Sequence, residues 1–115
     1  MAPMRSSTSD PWRATISVHL RVRVVEERQG EFRSFLREAI PFYEAPGGIR
    51  VRLLQDESDP ERFIELVEYA DEHAYRQDDE RVQSDATMAQ FLARWRALLT
   101  EAPTVEIYRD VDLPG

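Results

Sequence analysis

The sequence predicts an α+β domain in which amphipathic helices lie across one face of a four-stranded sheet. Three observations carry this. Residues 15–25 alternate apolar and polar side chains. Two longer segments repeat apolar residues every three or four positions. Turn-forming residues between them divide the chain into strand, helix, strand, strand, helix, strand. That order is the split βαβ, ferredoxin-like pattern, with a small extra helix before the last long one.

In the first strand Ile16, Val18, Leu20, Val22 and Val24 point one way, and Ser17, His19, Arg21 and Arg23 the other. A period of two with β-branched residues fits a pleated strand. At Glu26 the period changes. Phe32, Phe35, Leu36, Ala39, Ile40 and Tyr43 make one apolar stripe on a helix over 26–45, with Glu31, Arg33, Arg37 and Glu38 on its wet side. Pro41 lacks a backbone donor and is expected to end or kink this helix; Pro46, Gly47 and Gly48 force the turn that follows. Residues 49–55 form the second strand, 56–60 a polar turn and 62–69 the third strand. Phe63, Ile64, Leu66, Val67 and Tyr69 place apolar groups on both faces of that third strand, which predicts cover on both sides. A short helix over 71–82 begins at Asp71, whose carboxylate can cap the free N–H groups of the first turn. A longer helix over 85–100, capped by Ser84, carries the stripe Met88, Phe91, Leu92, Trp95, Leu98 and Leu99, and Pro103 stops it. Residues 104–111 are the last strand. Residues 1–13, rich in Ser, Thr and Pro, read as a flexible N-terminal tail, which leaves 14–112 as the domain.

Composition narrows the function classes. With 115 residues, 42% hydrophobic and 32% charged, the chain can bury one modest core and is not disordered throughout. A formal net charge of -7 repels phosphate, which argues against nucleic acid and anionic membranes as partners. Every basic residue is Arg; Lys and Asn are absent. The absence of cysteine excludes disulfides, thiolate metal sites and a Cys nucleophile, and fits a reducing cytoplasm. Residues 1–13 lack the apolar stretch of a signal peptide, and no run approaches the roughly 18 apolar residues of a membrane span. The expectation is a cytoplasmic protein.

Helices on one sheet face leave the other bare. That face would carry His19, Arg21 and Arg23 from the first strand and Arg50 and Arg52 from the second. Glu65 or Glu68 would come from the third, and Glu106 and Tyr108 from the fourth. With the first strand between the third and fourth, its arginines sit across from acids. Such a mixed-charge face suits solvent or a polar two-fold interface. The apolar third strand favours burial against a second copy, a homodimer.

The run Glu44-Ala-Pro-Gly-Gly-Ile-Arg-Val-Arg-Leu-Leu, followed by Asp59-Pro-Glu-Arg-Phe-Ile-Glu-Leu-Val-Glu-Tyr-Ala-Asp-Glu, resembles the antibiotic biosynthesis monooxygenase family, as does the helix before it. The shared pattern is an amphipathic helix, a Pro-Gly turn, a strand, an Asp-Pro turn, a strand ending in Glu-x-aromatic, and a short helix. The resemblance spans residues 15–111. It implies a dimeric α+β barrel with a pocket between sheet and helices. It also implies cofactor-independent oxygenation of quinol-like or polyketide aromatics, or haem degradation. Two departures stand out. The family's His in the short helix is missing from Tyr75-Arg-Gln-Asp-Asp-Glu-Arg, and without Asn the haem-degrading set of Asn, Trp and His is incomplete.

The candidate catalytic residues are His73, an imidazole suited to acid–base work that follows Asp71 and Glu72, and Tyr69, which can donate to a carbonyl or phenolate. The candidate substrate-binding residues are Phe32, Phe35, Tyr43, Phe91 and Trp95, which face the space between helices and sheet and can stack on a flat ligand. The pattern itself does not tell a filled core from a pocket there. His19 reads as an interface side chain, and Asp78, Asp79 and Glu80 as a solvated helix face. No metal-ligand spacing, nucleophile elbow, phosphate loop or nucleotide fingerprint is present, so no cofactor is expected. The functional expectation is a monooxygenase on a small aromatic or quinol-like substrate; the alternative is a non-catalytic dimer that binds a small ligand or serves as an accessory protein.

Overall fold

The structure is a computed structural model that describes residues 13–114. Strand β1 spans Ile16–Arg23 and a single 3₁₀ turn Glu26–Arg28. Helix α1 follows at Gln29–Glu44, then strands β2 at Ile49–Gln55 and β3 at Arg62–Tyr69. Helices α2 at Glu72–Ser84 and α3 at Ala86–Ala97 lead into strand β4 at Thr104–Arg109. The strands form one sheet in the order β2-β3-β1-β4, and every neighbouring pair is antiparallel. This is the ferredoxin-like α+β fold, with an open sheet and helices on one side.

The register sorts the side chains. Ile16 lies opposite Tyr69, Val18 opposite Val67, Leu20 opposite Glu65 and Val22 opposite Phe63. These residues, with Ile49, Val51 and Leu53 of β2, face the helices. The core closes where α1 lays Phe32, Phe35, Leu36 and Ala39 over them; Phe32, Ile16, Met88 and Val24 are its largest fully buried side chains.

Several boundaries differ from the sequence expectation, each for a local reason. Pro41 lies inside α1 and does not end it. The donor it lacks would have served the carbonyl of Arg37, an exposed residue whose oxygen water can satisfy. The chain turns instead at Gly47 and Gly48, both with positive φ, and a Cβ at Gly48 would stand 3.1 Å from that of Ala74. Asp85, not Ser84, caps α3, accepting from the Met88 N–H at 2.8 Å. Ser84 Oγ donates back to the Glu80 carbonyl. Asp71 caps α2 as expected, accepting from the Ala74 N–H at 2.8 Å. The expected flexible tail lies outside the described residues except Arg13, whose guanidinium meets Asp110 at 2.9 Å.

The open face carries the expected mixture. Arg21 pairs with Glu106 at 2.9 Å, and Arg50 and Arg52 flank Glu68 at 3.5 and 3.4 Å. The His19 and Tyr108 rings meet at a tilt, their centroids 4.7 Å apart. Arg23 turns to the β2–β3 loop, meeting Asp59 and Glu61. Leu66 is buried on this face, between strand neighbours bearing His19 and Arg52, without joining the main core. Of the two acids left open by the sequence, Glu68 belongs to this face and Glu65 to the helix face. No helix among the described residues is long and apolar enough to cross a membrane.

Candidate functional site

Helix α1 fills the space above β2 and β3, but α2 and α3 do not close down fully on β1 and β4. Between them and the sheet lies a cavity of about 290 Å³. Its sheet side is Val18, Leu20, Val51, Val67, Val105 and Ile107; its helix side includes Met88, Leu92 and Trp95. The rim follows from the same incomplete cover. Val105 and Ile107 point toward the helices yet are 55% and 52% exposed, because no helix lies over them. A larger cleft of about 440 Å³ at the far end of the sheet is lined by Arg21, Arg23, Asp56, Arg62 and Glu101. Its arginines are paired with Glu106, Asp59 and Asp56, so it reads as a charged surface groove.

Few polar groups reach the apolar cavity. At one of them the Tyr69 hydroxyl donates to Asp78 Oδ2 at 2.5 Å. Asp78 Oδ1 accepts from Arg81 Nη2 at 3.0 Å, and Arg81 in turn donates to the carbonyls of Phe42 and Tyr43 at 3.0 and 2.7 Å. Those two carbonyls belong to the last turn of α1, where intrahelical partners run out. Arg81 therefore ties the end of α1 to α2, and Asp78 extends that tie to β3. Asp78 is buried, so the acidic run read as solvated splits: Asp79 and Glu80 are exposed and Asp78 is not. Burial, reinforced by Asp78, pushes the Tyr69 phenol up; burial and the Glu65 carboxyl do the same to Tyr43. Both stay neutral across the physiological range, the Tyr69 proton held by Asp78.

Glu65 is the other polar feature. It stands on the central strand β3 between Leu20 of β1 and Leu53 of β2, and only 3% of it is exposed. No described residue donates it a hydrogen bond of standard geometry. Its Oε1 and the Trp95 Nε1 are both buried without such a partner. Burial pushes its carboxyl up to about 7; the nearby Trp95 indole, close enough to favour the charged form, opposes this to a smaller degree.

Of the residues singled out from sequence, Tyr69, Tyr43 and Trp95 line this cavity. Phe32 packs in the core against Phe63, ring centroids 5.5 Å apart, and does not line it. Phe35 and Phe91 form a separate aromatic cluster with Phe42 and Tyr43, crossed by the Arg94 guanidinium 5.0 Å above the Phe35 ring. His73 is exposed on α2 and stands outside the cavity. Glu65 and Asp78 were not singled out. The signal for Glu65 was its parity with Phe63 and Tyr69, two aromatics that belong in a core. No group of three or more His, Cys, Asp or Glu among the described residues could hold a metal ion.

The sequence profile of the antibiotic biosynthesis monooxygenase family matches residues 15–90. No curated protein matches the chain significantly. Among solved structures, a conserved protein from Methanosarcina mazei Go1 superposes with a TM-score of 0.72 at 22% identity, covering 85% of this chain and 94% of that one. SnoaB, a cofactor-independent oxygenase from Streptomyces nogalater, reaches 0.69 at 17% identity over 85% and 94%. Rv0793 from Mycobacterium tuberculosis reaches 0.66 at 20% identity over 87% and 98%. At these identities the likeness establishes the fold.

Proposed function

The chain belongs to the antibiotic biosynthesis monooxygenase family, and we propose that it is a cofactor-independent monooxygenase acting on a small aromatic or quinol-like substrate held between the sheet and helices α2 and α3. The observation that carries this is the cavity itself. It is apolar, of a volume near the lower end of ordinary ligand pockets, open at the β4 edge and faced by Trp95, Tyr43 and Tyr69. An electron-rich aromatic fits such a lining. Trp95 offers a stacking surface, and the neutral Tyr43 phenol, unlike that of Tyr69, which is held by Asp78, offers a donor to a developing oxyanion.

The chemistry needs no reductant other than the substrate. Taking 1-naphthol as the simplest case, loss of the phenolic proton gives an anion whose para carbon bonds to O₂ as a hydroperoxide. Loss of the ring hydrogen at that carbon and of hydroxide from the O–O bond releases water and leaves a second carbonyl. One naphthol and one O₂ thus become 1,4-naphthoquinone and one water, the aromatic supplying all the electrons. The protein's part is to exclude bulk water, hold the ring and manage the proton.

The open sheet face supports a homodimer, since its paired Arg and Glu side chains and buried Leu66 suit a second copy better than a helix. We place the protein in the cytoplasm on its lack of cysteine. Light scattering that returned the mass of one chain at micromolar concentration would contradict the dimer.

The test of activity is 1-naphthol incubated under air with the purified protein, with oxygen uptake and 1,4-naphthoquinone followed together. Expected is quinone formation above the protein-free rate, with one O₂ consumed per quinone, and its loss in Trp95→Ala. Saturable binding without turnover of naphthols or quinols would replace the enzyme by a small-ligand-binding dimer.

A further inference from the structure

We propose that a single hydroxyl of the aromatic ligand sits between Glu65 and Trp95, donating its proton to the Glu65 carboxylate and accepting from the Trp95 indole N–H. The inference rests on the reading of the cavity as the ligand site and adds which chemical class it selects: phenols and enols, in preference to hydrocarbons and aryl ethers.

A carboxyl 3% exposed, on the central strand of a sheet, should be satisfied by a cation or several donors. Its strand neighbours on this face are Leu20 and Leu53, which offer nothing. Trp95, on the helix that roofs the cavity, has a buried donor that lies near enough to Glu65 to favour the charged carboxylate but makes no hydrogen bond of good geometry to it. A buried acceptor and a buried donor, close to one another in the wall of one cavity and poorly aligned, can both be served by a group that is donor and acceptor at once. A hydroxyl is the smallest such group. The nearby ionisable groups are otherwise engaged or distant in role. Tyr69 is committed to Asp78, Asp78 to Arg81, and Arg96 and Asp79 lie on exposed turns of α3 and α2. Tyr43 is the remaining neutral donor whose ionisation responds to Glu65.

The arrangement also assigns the first proton of the reaction. The phenolic O–H bond breaks, the proton passes to Glu65, and the negative charge moves onto the ring, where it meets O₂. That proton then goes to the distal peroxide oxygen. Glu65 next takes the ring proton and returns it to the departing hydroxide, so the carboxylate ends as it began. A buried carboxyl with its pKa raised toward that of a phenol is a better match for this exchange than an exposed one. The indole N–H stays in place throughout, facing the oxygen as it becomes negative.

The experiment compares 1-naphthol with naphthalene, two ligands of the same ring system that differ by the hydroxyl. Dissociation constants are measured at pH 8 for the full-length protein and for Glu65→Leu and Glu65→Gln. The wild-type protein is expected to bind 1-naphthol about tenfold more tightly than naphthalene, the worth of a hydrogen bond to a charged group. Glu65→Leu should bring the ratio to about one. Glu65→Gln, which keeps the shape, should reduce it severalfold and gives the reading if the Leu variant does not fold. A ratio unchanged in both variants overturns the role of Glu65 while leaving the cavity as a ligand site. Failure of the wild-type protein to bind either compound overturns both.

Discussion

Phe32→Ala is expected to destabilise the fold by about 3–5 kcal/mol, as truncation of a fully buried aromatic does. Phe32 is 0% exposed and lies against Phe63 in the cluster that includes Ile16, Val22 and Val24. Removing its ring opens a void that α1 and β3, held in place by their other contacts, can only partly fill. Since domains of this size are stable by about 5–15 kcal/mol, the loss is a large fraction of the total. Urea unfolding measures it. The result also separates two roles that the sequence alone left together for this residue. Phe32→Leu, a gentler change, should fold and bind 1-naphthol with wild-type affinity. A Leu variant of unchanged stability that no longer bound the ligand would place Phe32 at the ligand after all.

The second large effect is on the pH dependence of stability. In the unfolded chain Glu65 titrates near the ordinary glutamate value; in the folded protein burial raises it to about 7. Because the folded state holds the proton more tightly, the associated stability is fully present below the unfolded pKa. It is lost as the pH rises through the folded one. The window is therefore between pH 4.5 and about 7, and the loss across it is about 3 kcal/mol. Glu38, Asp59, Glu72 and Glu106 act the other way. Each is held below its ordinary value, first by a hydrogen bond from Arg94, Arg23, Arg109 and Arg21 respectively. Their contributions are present above the unfolded values and fall away only in more acidic solution. Wild-type stability should therefore peak on the acid side of neutrality. Denaturant midpoints for Glu65→Gln should change far less between pH 5 and pH 8, and at pH 8 the variant should be the more stable protein. Parallel pH profiles for the two proteins would contradict the burial of an unpaired carboxyl.

The strand and helix order was legible because each element of this chain is strongly periodic. The alternation of Ile16 to Val24 has no helical reading, and the stripe from Phe32 to Tyr43 no extended one. Ends were less legible where two residues compete for one role. Ser84 and Asp85 both can cap a helix, and the chain uses the carboxylate, a stronger acceptor for an N–H. Pro41 was misleading because the cost of proline in a helix depends on whether the orphaned carbonyl meets water, which is a property of the surface. The site was legible in part. Tyr43, Tyr69 and Trp95 follow from their stripes. Glu65 did not, because β3 reads apolar on both faces and carries one glutamate on each. The parity of Glu65 with Phe63 and Tyr69 is the one signal that it turns inward, and the pairing opposite Leu20 and Leu53 bears this out. Asp78 was hidden in an acidic run whose burial depends on Tyr69 and Arg81, nine residues before it and three after.

The proposed function requires that aromatics enter the space beneath Trp95. It is tested most directly by the indole N–H signals in a ¹H–¹⁵N correlation spectrum during titration with 1,4-naphthoquinone. The chain has two tryptophans, and Trp12→Phe leaves Trp95 as the single indole signal. With no Cys or Lys present, the quinone meets few nucleophiles to which it could add. Expected is a saturable shift of the Trp95 indole, together with the amides of Glu65, Tyr69 and Met88, while those of Arg50 and Arg52 on the open face stay in place. Shifts confined to the open face, or a Trp95 signal that does not move, would contradict it.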